Sequence, residues 1–295
     1  MTNTKMRSGS AAGAGRRGAL VAAFLVVLAG GLGAQGGAQG GGQGQNNAQA
    51  QAAKTPRTVA PQDLTGYWVS IVTELWHYRM LVPDKGDYVY VPLNPEGRKV
   101  ADAWDPAKDQ ASGNACKSYG APALLGVPGR LHIYWQDDNT LRIDTDSGTQ
   151  TRLLHFGGGA PQNEASSWQG YSAASWQGDE NVDLRDGFGG PVLDPTGKPM
   201  PGRVLKQADY LKVVTTHLRP GYLQKNGVPY SGNATMEEYF DVFKDPYQGN
   251  TWMTVTTVVN DPQYLVEPLI THVHFKKIPD NSGWDPTQCR TDEAR

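Results

Sequence analysis

Residues 251–277 read TWMTVTTVVNDPQYLVEPLITHVHFKK, and this stretch decides the fold class. Val, Thr, Trp and Phe dominate it, and these branched or aromatic side chains suit the pleated surface of a β-sheet. Along Leu269–Lys277 apolar and polar residues alternate, as they do in a strand with one buried face. Asp261-Pro262 lies between two such runs and is a turn signal. The stretch therefore predicts two antiparallel strands, Thr251–Asn260 and Leu269–Lys277.

The same pattern continues upstream to Tyr210. Two further β-rich runs, Tyr210–Arg219 and Asn233–Lys244, are separated by segments that carry turn residues such as Asn226-Gly227. We therefore predict a four-strand antiparallel meander over Tyr210–Lys277.

The preceding part of the chain adds more short strands and one helix. Asn94-Pro95-Glu96 has the cap, first-turn proline and acid of a helix start. Many short strands joined by turns favour a closed barrel or a sandwich, and short sequential links favour up-and-down order. We predict an all-β protein, an antiparallel up-and-down β-barrel of about 8–9 strands with one short helix. The strands predicted in this part are Val69–Trp76, Tyr88–Val91, Arg130–Gln136, Thr140–Thr145, Thr149–Phe156 and Trp168–Trp176.

The first residues predict export. Residues 1–38 combine a charged start, a short apolar run and small residues, which is the pattern of a secretory signal peptide. Residues 39–57 are mostly Gly, Gln, Ala and Asn, which cannot bury enough apolar surface to fold, and we predict a disordered linker. Residues 58–295 then form a single barrel domain, and the protein is periplasmic or extracellular.

Composition excludes several classes of partner. The formal net charge is −2 with both signs interspersed, so nothing points to nucleic acid or to an anionic membrane surface. The apolar run near the start is too short for a transmembrane helix, and we predict no membrane anchor. No phosphate-binding loop and no dinucleotide fingerprint is found, and we predict no cofactor.

The chain has two cysteines, Cys116 and Cys289. Because an exported chain enters an oxidising compartment, we predict a disulfide between them. Two unpaired thiols are the alternative.

The start of the domain resembles a known family. Gly66-Tyr67-Trp68 matches the Gly-x-Trp motif with which lipocalins and related calycin-type barrels begin. The resemblance implies an up-and-down barrel that Trp68 closes at one end. The chain departs from the family because no Arg in the last strand is available to stack on Trp68. Over Val127–Phe156 and Thr215–Ser231 the domain is also similar to secreted bacterial proteins, a likeness that implies no activity.

The strongest candidate site lies where the first strand of the meander ends. His217 and Arg219 alternate together, and Glu238 lies on the next strand. We predict that they cluster at one mouth of the barrel and bind a ligand, with Tyr239 and Trp76 adding aromatic surface. A histidine there can act as acid, base or donor, so His217 and Glu238 are also catalytic candidates. A salt-bridged rim is the alternative.

Two further sets of polar residues are candidates. Either His155 or Arg152 faces inward, and an inward His155 beside Arg142 or Glu74 would give an apolar pocket a polar floor. A hydrogen-bonded core histidine is the alternative. His155 is the third catalytic candidate.

His272 and His274 share one strand face, where two imidazoles with a third ligand can hold Zn²⁺. Since the opposite strand face is the more apolar, a polar outer surface is the alternative for this pair, and we predict no metal.

Three functions remain open. The first is a barrel that binds a small, mostly apolar molecule without transforming it. The second is an isomerase, cyclase or hydrolase on the same barrel that uses His and Glu as acid and base. The third is a structural protein of the envelope with a filled core. An apolar cavity favours binding, paired His and Glu inside a cavity favour catalysis, and the absence of a cavity favours the structural protein.

Overall fold

A computed structural model describes residues 54–178 and 210–295, together with the short pieces 182–183, 195–198 and 204–205. The predicted signal peptide, residues 1–38, and most of the predicted linker, residues 39–57, lie outside the described residues. Both stay predictions. In the described residues no helix is long and apolar enough to cross a membrane.

Nine strands form a closed barrel, in which each strand is hydrogen-bonded to the barrel strands that precede and follow it along the chain. The last strand pairs with the first and closes the barrel. The prediction of an all-β, up-and-down barrel is therefore confirmed. The strands are β1 (Gly66–Ile71), β2 (Arg130–Trp135), β3 (Thr140–Thr145), β4 (Thr151–Phe156), β5 (Tyr171–Gln177), β6 (Tyr210–Thr216), β7 (Thr235–Lys244), β8 (Thr251–Asn260) and β9 (Leu269–Ile278).

The predicted meander corresponds to β6–β9, in which each neighbouring pair is antiparallel. The register places Val255 of β8 opposite Val273 of β9, and both side chains are buried inside the barrel. This is the alternation that the sequence shows, with apolar residues on one face of each strand. The prediction of four antiparallel strands in this region is confirmed.

One neighbouring pair, β4 and β5, is parallel. A closed barrel in which every neighbour is antiparallel needs an even number of strands, so nine strands force at least one parallel pair. Phe156 ends β4 and Tyr171 begins β5, and the chain between them is long enough for the crossover that a parallel pair requires. The purely antiparallel prediction was wrong at this pair.

The helical content exceeds the one predicted helix. Its counterpart, α2 (Pro95–Asp102), begins as predicted, because the Asn94 side chain accepts a hydrogen bond from the Gly97 amide. Two predicted strand segments are not strands over their whole length. The predicted strand Val69–Trp76 is a strand only as far as Ile71 and is followed by a helix, and the predicted strand Tyr88–Val91 forms turns. The other short helices are α1 (Trp76–Met80), α3 (Pro106–Ala111), α4 (Ala121–Leu124) and the 3₁₀ helices Ala115–Tyr119 and Ser147–Thr149.

One end of the barrel interior is filled with apolar side chains. Trp68 of β1 is fully buried there and donates a hydrogen bond from Nε1 to the Leu64 carbonyl. The Lys277 ammonium of β9 lies 5.4 Å from the centre of the Trp68 ring. A cation of the last strand therefore stacks on the motif tryptophan, where the lipocalin resemblance implies an Arg.

The opposite end of the interior carries a layer of polar side chains. Glu238 of β7 lies opposite Thr257 of β8, and Thr257 lies opposite Thr271 of β9. On the two strands that follow β7 in the other direction, Ser172 of β5 lies opposite Thr215 of β6. Short helices and loops cover this end, which we call the capped end, and they pack around a second apolar cluster.

The C-terminal tail belongs to this cover. Cys116 and Cys289 form a disulfide, as predicted, and it links positions 173 residues apart. The Thr287 amide donates to the Asp146 carbonyl, and Arg295 forms an ion pair with Asp146 at 3.0 Å. The tail is thereby held against the capped end.

Candidate functional site

Glu238 lies inside the barrel and pairs with Arg152. The two side chains are 1% and 0% exposed. Arg152 donates from Nη1 to Glu238 Oε1 at 2.9 Å and from Nη2 to Oε2 at 2.6 Å, so the guanidinium holds both carboxylate oxygens. Arg152 Nη2 also lies 3.2 Å from Ser172 Oγ and 3.3 Å from Thr215 Oγ1. The carboxylate is therefore fully engaged by its own chain.

The other two members of the predicted cluster lie at the rim. His217 has a left-handed backbone with φ 57°, and its Nδ1 is 2.9 Å from Thr216 Oγ1. Arg219 donates to Asn114 Oδ1 at 3.2 Å and stacks over the Trp168 ring. Among the described residues no hydrogen bond or ion pair joins Glu238 to either of them. A ligand-binding role for this group stays a prediction.

Three other candidates make their contacts away from the barrel interior. Arg142 pairs with Asp144 at 2.9 Å, and the Tyr239 hydroxyl donates to Glu237. The His155 ring stacks on Tyr171, with ring centres 4.8 Å apart. Arg152, and not His155, is the inward residue of β4.

Trp76 and the paired histidines lie elsewhere. Trp76 is in α1 and is 60% exposed. His272 Nδ1 is 3.0 Å from Thr256 Oγ1, whereas His274 Nδ1 is 2.7 Å from Glu74 Oε1. Each histidine thus has a different neighbour, and the described residues contain no group of three or more side chains placed to hold a metal ion.

A cavity of about 80 Å³ lies at the capped end of the barrel. Its walls are mostly apolar and come from two sides. The barrel contributes Thr257, Val259, Leu269, Thr271, His272 and Val273. The cover contributes Leu75, Tyr78, Arg79, Tyr90, Ser118, residues 121–123 and 125–127, residues 223–225 and Ala294.

Arg79 is a buried charged residue of the cover. It is 8% exposed, although it lines the cavity. Its Nε donates to the Gly126 carbonyl at 2.9 Å and its Nη2 to Ser70 Oγ at 3.1 Å, but its Nη1 is buried without a hydrogen-bond partner. Burial lowers the pKa of Arg79, and the charge of Glu74 partly opposes this. Gln224 Oε1 is a second buried polar atom of the lining without a partner.

Lys225 is the second buried cation of the lining, at 7% exposure. Its Nζ donates to the Tyr119 hydroxyl at 2.5 Å and to the Glu293 carbonyl at 2.7 Å, and the Arg290 carbonyl lies at 3.5 Å. Burial lowers the pKa of Lys225 to about 7, and the nearby carboxylates of Glu293 and Asp292 oppose the shift. Lys225 thus holds the C-terminal tail through the carbonyl groups of Arg290 and Glu293.

Sequence reasoning missed Arg79 and Lys225, and it left Arg152 as one of two alternatives for the inward residue of β4. A signal for Arg152 was present, because it shares a strand face with Leu154 and Phe156, the more apolar face of β4. Arg79 lies in a five-residue helix whose preceding residue, Leu75, makes no side-chain cap, so no local pattern marks its burial.

Comparison of the chain with family models, with curated proteins and with solved structures found no match. The lipocalin resemblance therefore stays a prediction beyond the closed barrel itself.

Proposed function

We propose that this protein is an exported β-barrel that binds a small, mostly apolar molecule in the cavity at its capped end. The observation that carries the proposal is the composition of the cavity walls. Valine, leucine and alanine side chains dominate them, and a few polar groups converge from the cover. Ligand sites in proteins have this composition, because apolar surface supplies affinity and a few polar groups supply orientation.

The size of the cavity limits the ligand. At about 80 Å³ it exceeds the roughly 10–15 Å³ that one water needs, but it is smaller than the roughly 300–1,000 Å³ of sites for drug-sized molecules. We infer a ligand with only a few non-hydrogen atoms.

Binding without chemistry explains the site better than catalysis. Among the described residues of the lining there is one histidine, His272, and no Asp or Glu side chain. Glu238 is held by Arg152 and lies outside the lining. A general acid and base must both reach the substrate, and the lining does not supply that pair.

Export rests on two observations. The first residues have the pattern of a signal peptide, and the folded part contains a disulfide. Disulfides persist in oxidising compartments and are rare in the cytosol.

A structural role is the second candidate. The observation that favours it is the apolar core around Trp68, which fills the other end of the barrel with side chains. A barrel of this kind can serve as a rigid body without any ligand.

A series of four-carbon compounds tests the proposal: 1-butanol, butyramide, butyrate and butylamine. Each is titrated into the protein while the methyl resonances of Val259, Leu269 and Val273 are followed by NMR. We expect at least one compound to shift these resonances in a saturable way. If none of the four does so, the cavity is not a binding site for molecules of its own size.

Two variants locate the binding. Thr271→Phe places a ring in the cavity and is expected to abolish the shifts. Thr254→Phe is the matched control, because Thr254 lies on the same sheet but faces away from the buried Met253 and Val255. Shifts that persist in Thr271→Phe while circular dichroism shows a folded barrel would place the binding elsewhere and overturn the proposal.

A further inference from the structure

We propose that the ligand is a short-chain carboxylate whose anionic group is bound by Arg79. This inference rests on the proposed function, because it concerns the same cavity and names the chemical class of its occupant.

One N–H group of the Arg79 side chain has no acceptor. A guanidinium has five N–H donors and no acceptor. In Arg79, which lines the cavity, Nε donates to the Gly126 carbonyl and Nη2 to Ser70 Oγ, whereas Nη1 is buried without an acceptor. A buried donor without a partner is costly, and each such atom in a folded protein calls for an explanation. An acceptor brought by a ligand explains this one.

The charged side chains around the cavity also favour an anionic ligand. Among the described residues no carboxylate forms an ion pair with Arg79 within 4.0 Å. Glu74 is the nearby carboxylate whose charge acts on Arg79. Its Oε1 is bound to His274 at 2.7 Å, its Oε2 is buried without a hydrogen-bond partner, and Glu74 is absent from the cavity lining. Lys225 adds a second buried cation, and its three nearest acceptors are a hydroxyl and two carbonyl oxygens. Among the described residues the cavity lining therefore contains one arginine and one lysine side chain, both from the cover, and no carboxylate side chain.

The side chains on the barrel side of the cavity limit how polar the ligand can be. The barrel side of the cavity includes Val259, Leu269 and Val273, which offer no hydrogen bonds from their side chains, beside the polar residues Thr257, Thr271 and His272. A fully polar anion such as phosphate would lose hydration against the three apolar side chains of this wall. A carboxylate with a short apolar chain matches both sides, because the charged group meets Arg79 and the chain meets the barrel.

The test compares butyrate with butyramide, which has the same shape and no charge. Titrations at pH 6 are followed by the methyl resonances of the cavity. Because hydrogen bonds to a charged group are stronger than neutral ones, we expect butyrate to bind about 10-fold more tightly or better. Butylamine and inorganic phosphate are expected to bind more weakly than butyrate.

The variant Arg79→Met removes the proposed partner. We expect it to reduce the affinity for butyrate to that for butyramide, and to leave the affinity for butyramide within about 2-fold. Arg98→Met is the matched control, because Arg98 lies on the exposed side of α2, and it is expected to keep the preference for butyrate.

The outcomes separate the two proposals. Equal binding of butyrate and butyramide overturns the carboxylate assignment and leaves the cavity as a binding site, and so does a preference that survives in Arg79→Met. If Arg79→Met fails to fold, the Arg79 side-chain N–H resonances of the native protein decide. A shift of these resonances on adding butyrate but not butyramide supports the assignment, and its absence contradicts it. If no compound of the series binds, both proposals fail.

Discussion

Two buried arginines differ in how their charge is neutralised. Arg152 lies inside the barrel and holds both oxygens of Glu238, with Ser172 and Thr215 as further acceptors. Arg79 lies in the cover of the same end and has no ion-pair partner within the described residues. Each arginine has one buried N–H group without an acceptor, Nε in Arg152 and Nη1 in Arg79, so the difference between them is the ion pair. Because Arg152 is paired with a carboxylate of its own chain, we regard the first site as structural and the second as a site for an external anion.

Energetics supports this distinction. A buried charge that loses its partner is strongly destabilising, whereas replacing a whole buried pair with apolar side chains is often neutral. Arg152 and Glu238 are therefore expected to depend on each other, and Arg79 is expected to contribute little to stability. The following measurements test this contrast, together with the disulfide and the pKa of Lys225.

Breaking the internal pair is expected to have the largest effect. Arg152→Met or Glu238→Leu alone leaves one buried charge without its partner and should lower the free energy of unfolding by about 3–5 kcal/mol. The double variant should recover most of that loss. Urea unfolding of the three variants checks this, and two small single effects would show that the pair is not a unit.

Removing the disulfide is expected to have the next largest effect. The double variant Cys116→Ser and Cys289→Ser should lose about 2–4 kcal/mol of stability, because the unfolded chain regains the freedom that the cross-link removes. Since the tail provides Ala294 to the cavity wall and carbonyls to Lys225, butyrate should also bind more weakly. Native-like affinity in the double variant would show that the tail does not close the cavity.

The third effect is a dependence on pH. The pKa of Lys225 is about 7 in the folded protein and near 10.5 in the unfolded chain, so above pH 7 the unfolded state binds more protons and stability rises with pH. From pH 7 to pH 9 we expect the native protein to gain about 2 kcal/mol relative to Lys225→Met. Urea unfolding at both values measures the difference. A constant difference between the two proteins would contradict a lowered pKa for this group.

The smallest expected effect belongs to Arg79→Met. The variant loses two hydrogen bonds but also removes a buried charge, and these changes oppose each other, so the free energy of unfolding should change by no more than about 1 kcal/mol. Thermal unfolding compares it with Arg152→Met, the same substitution at the paired arginine. Equal losses in both would remove the contrast between the two arginines.

Much of the barrel could be predicted from sequence because its information is local. In β8 and β9 the alternation of Thr, Val and Phe with polar residues marks the buried face directly. The parallel pair β4 and β5 could not be predicted in this way. It follows from the total number of strands, which no single segment contains.

The candidate site was harder to predict because its residues meet only in the tertiary structure. Arg79, Lys225 and Ala294 come from a helix, a loop and the tail, and no spacing in the sequence connects them. Glu238 was predicted as a partner of His217 and Arg219 on the neighbouring strand, whereas the side chain that holds its carboxylate is Arg152 on β4. Sequence reasoning considers nearby strands first and therefore misses a contact that crosses the interior.

The pairing of β1 with β9 has a consequence for the rate of folding. The contact between Thr73 and His274, beside this seam, spans 201 positions of the chain. Contacts so distant form slowly, because the entropy of the intervening chain must be lost before they contribute. Until the seam forms, β1 and β9 present unpaired edges, to which another copy of the chain can add. Closure of the barrel is therefore the folding step at which we expect delay and aggregation.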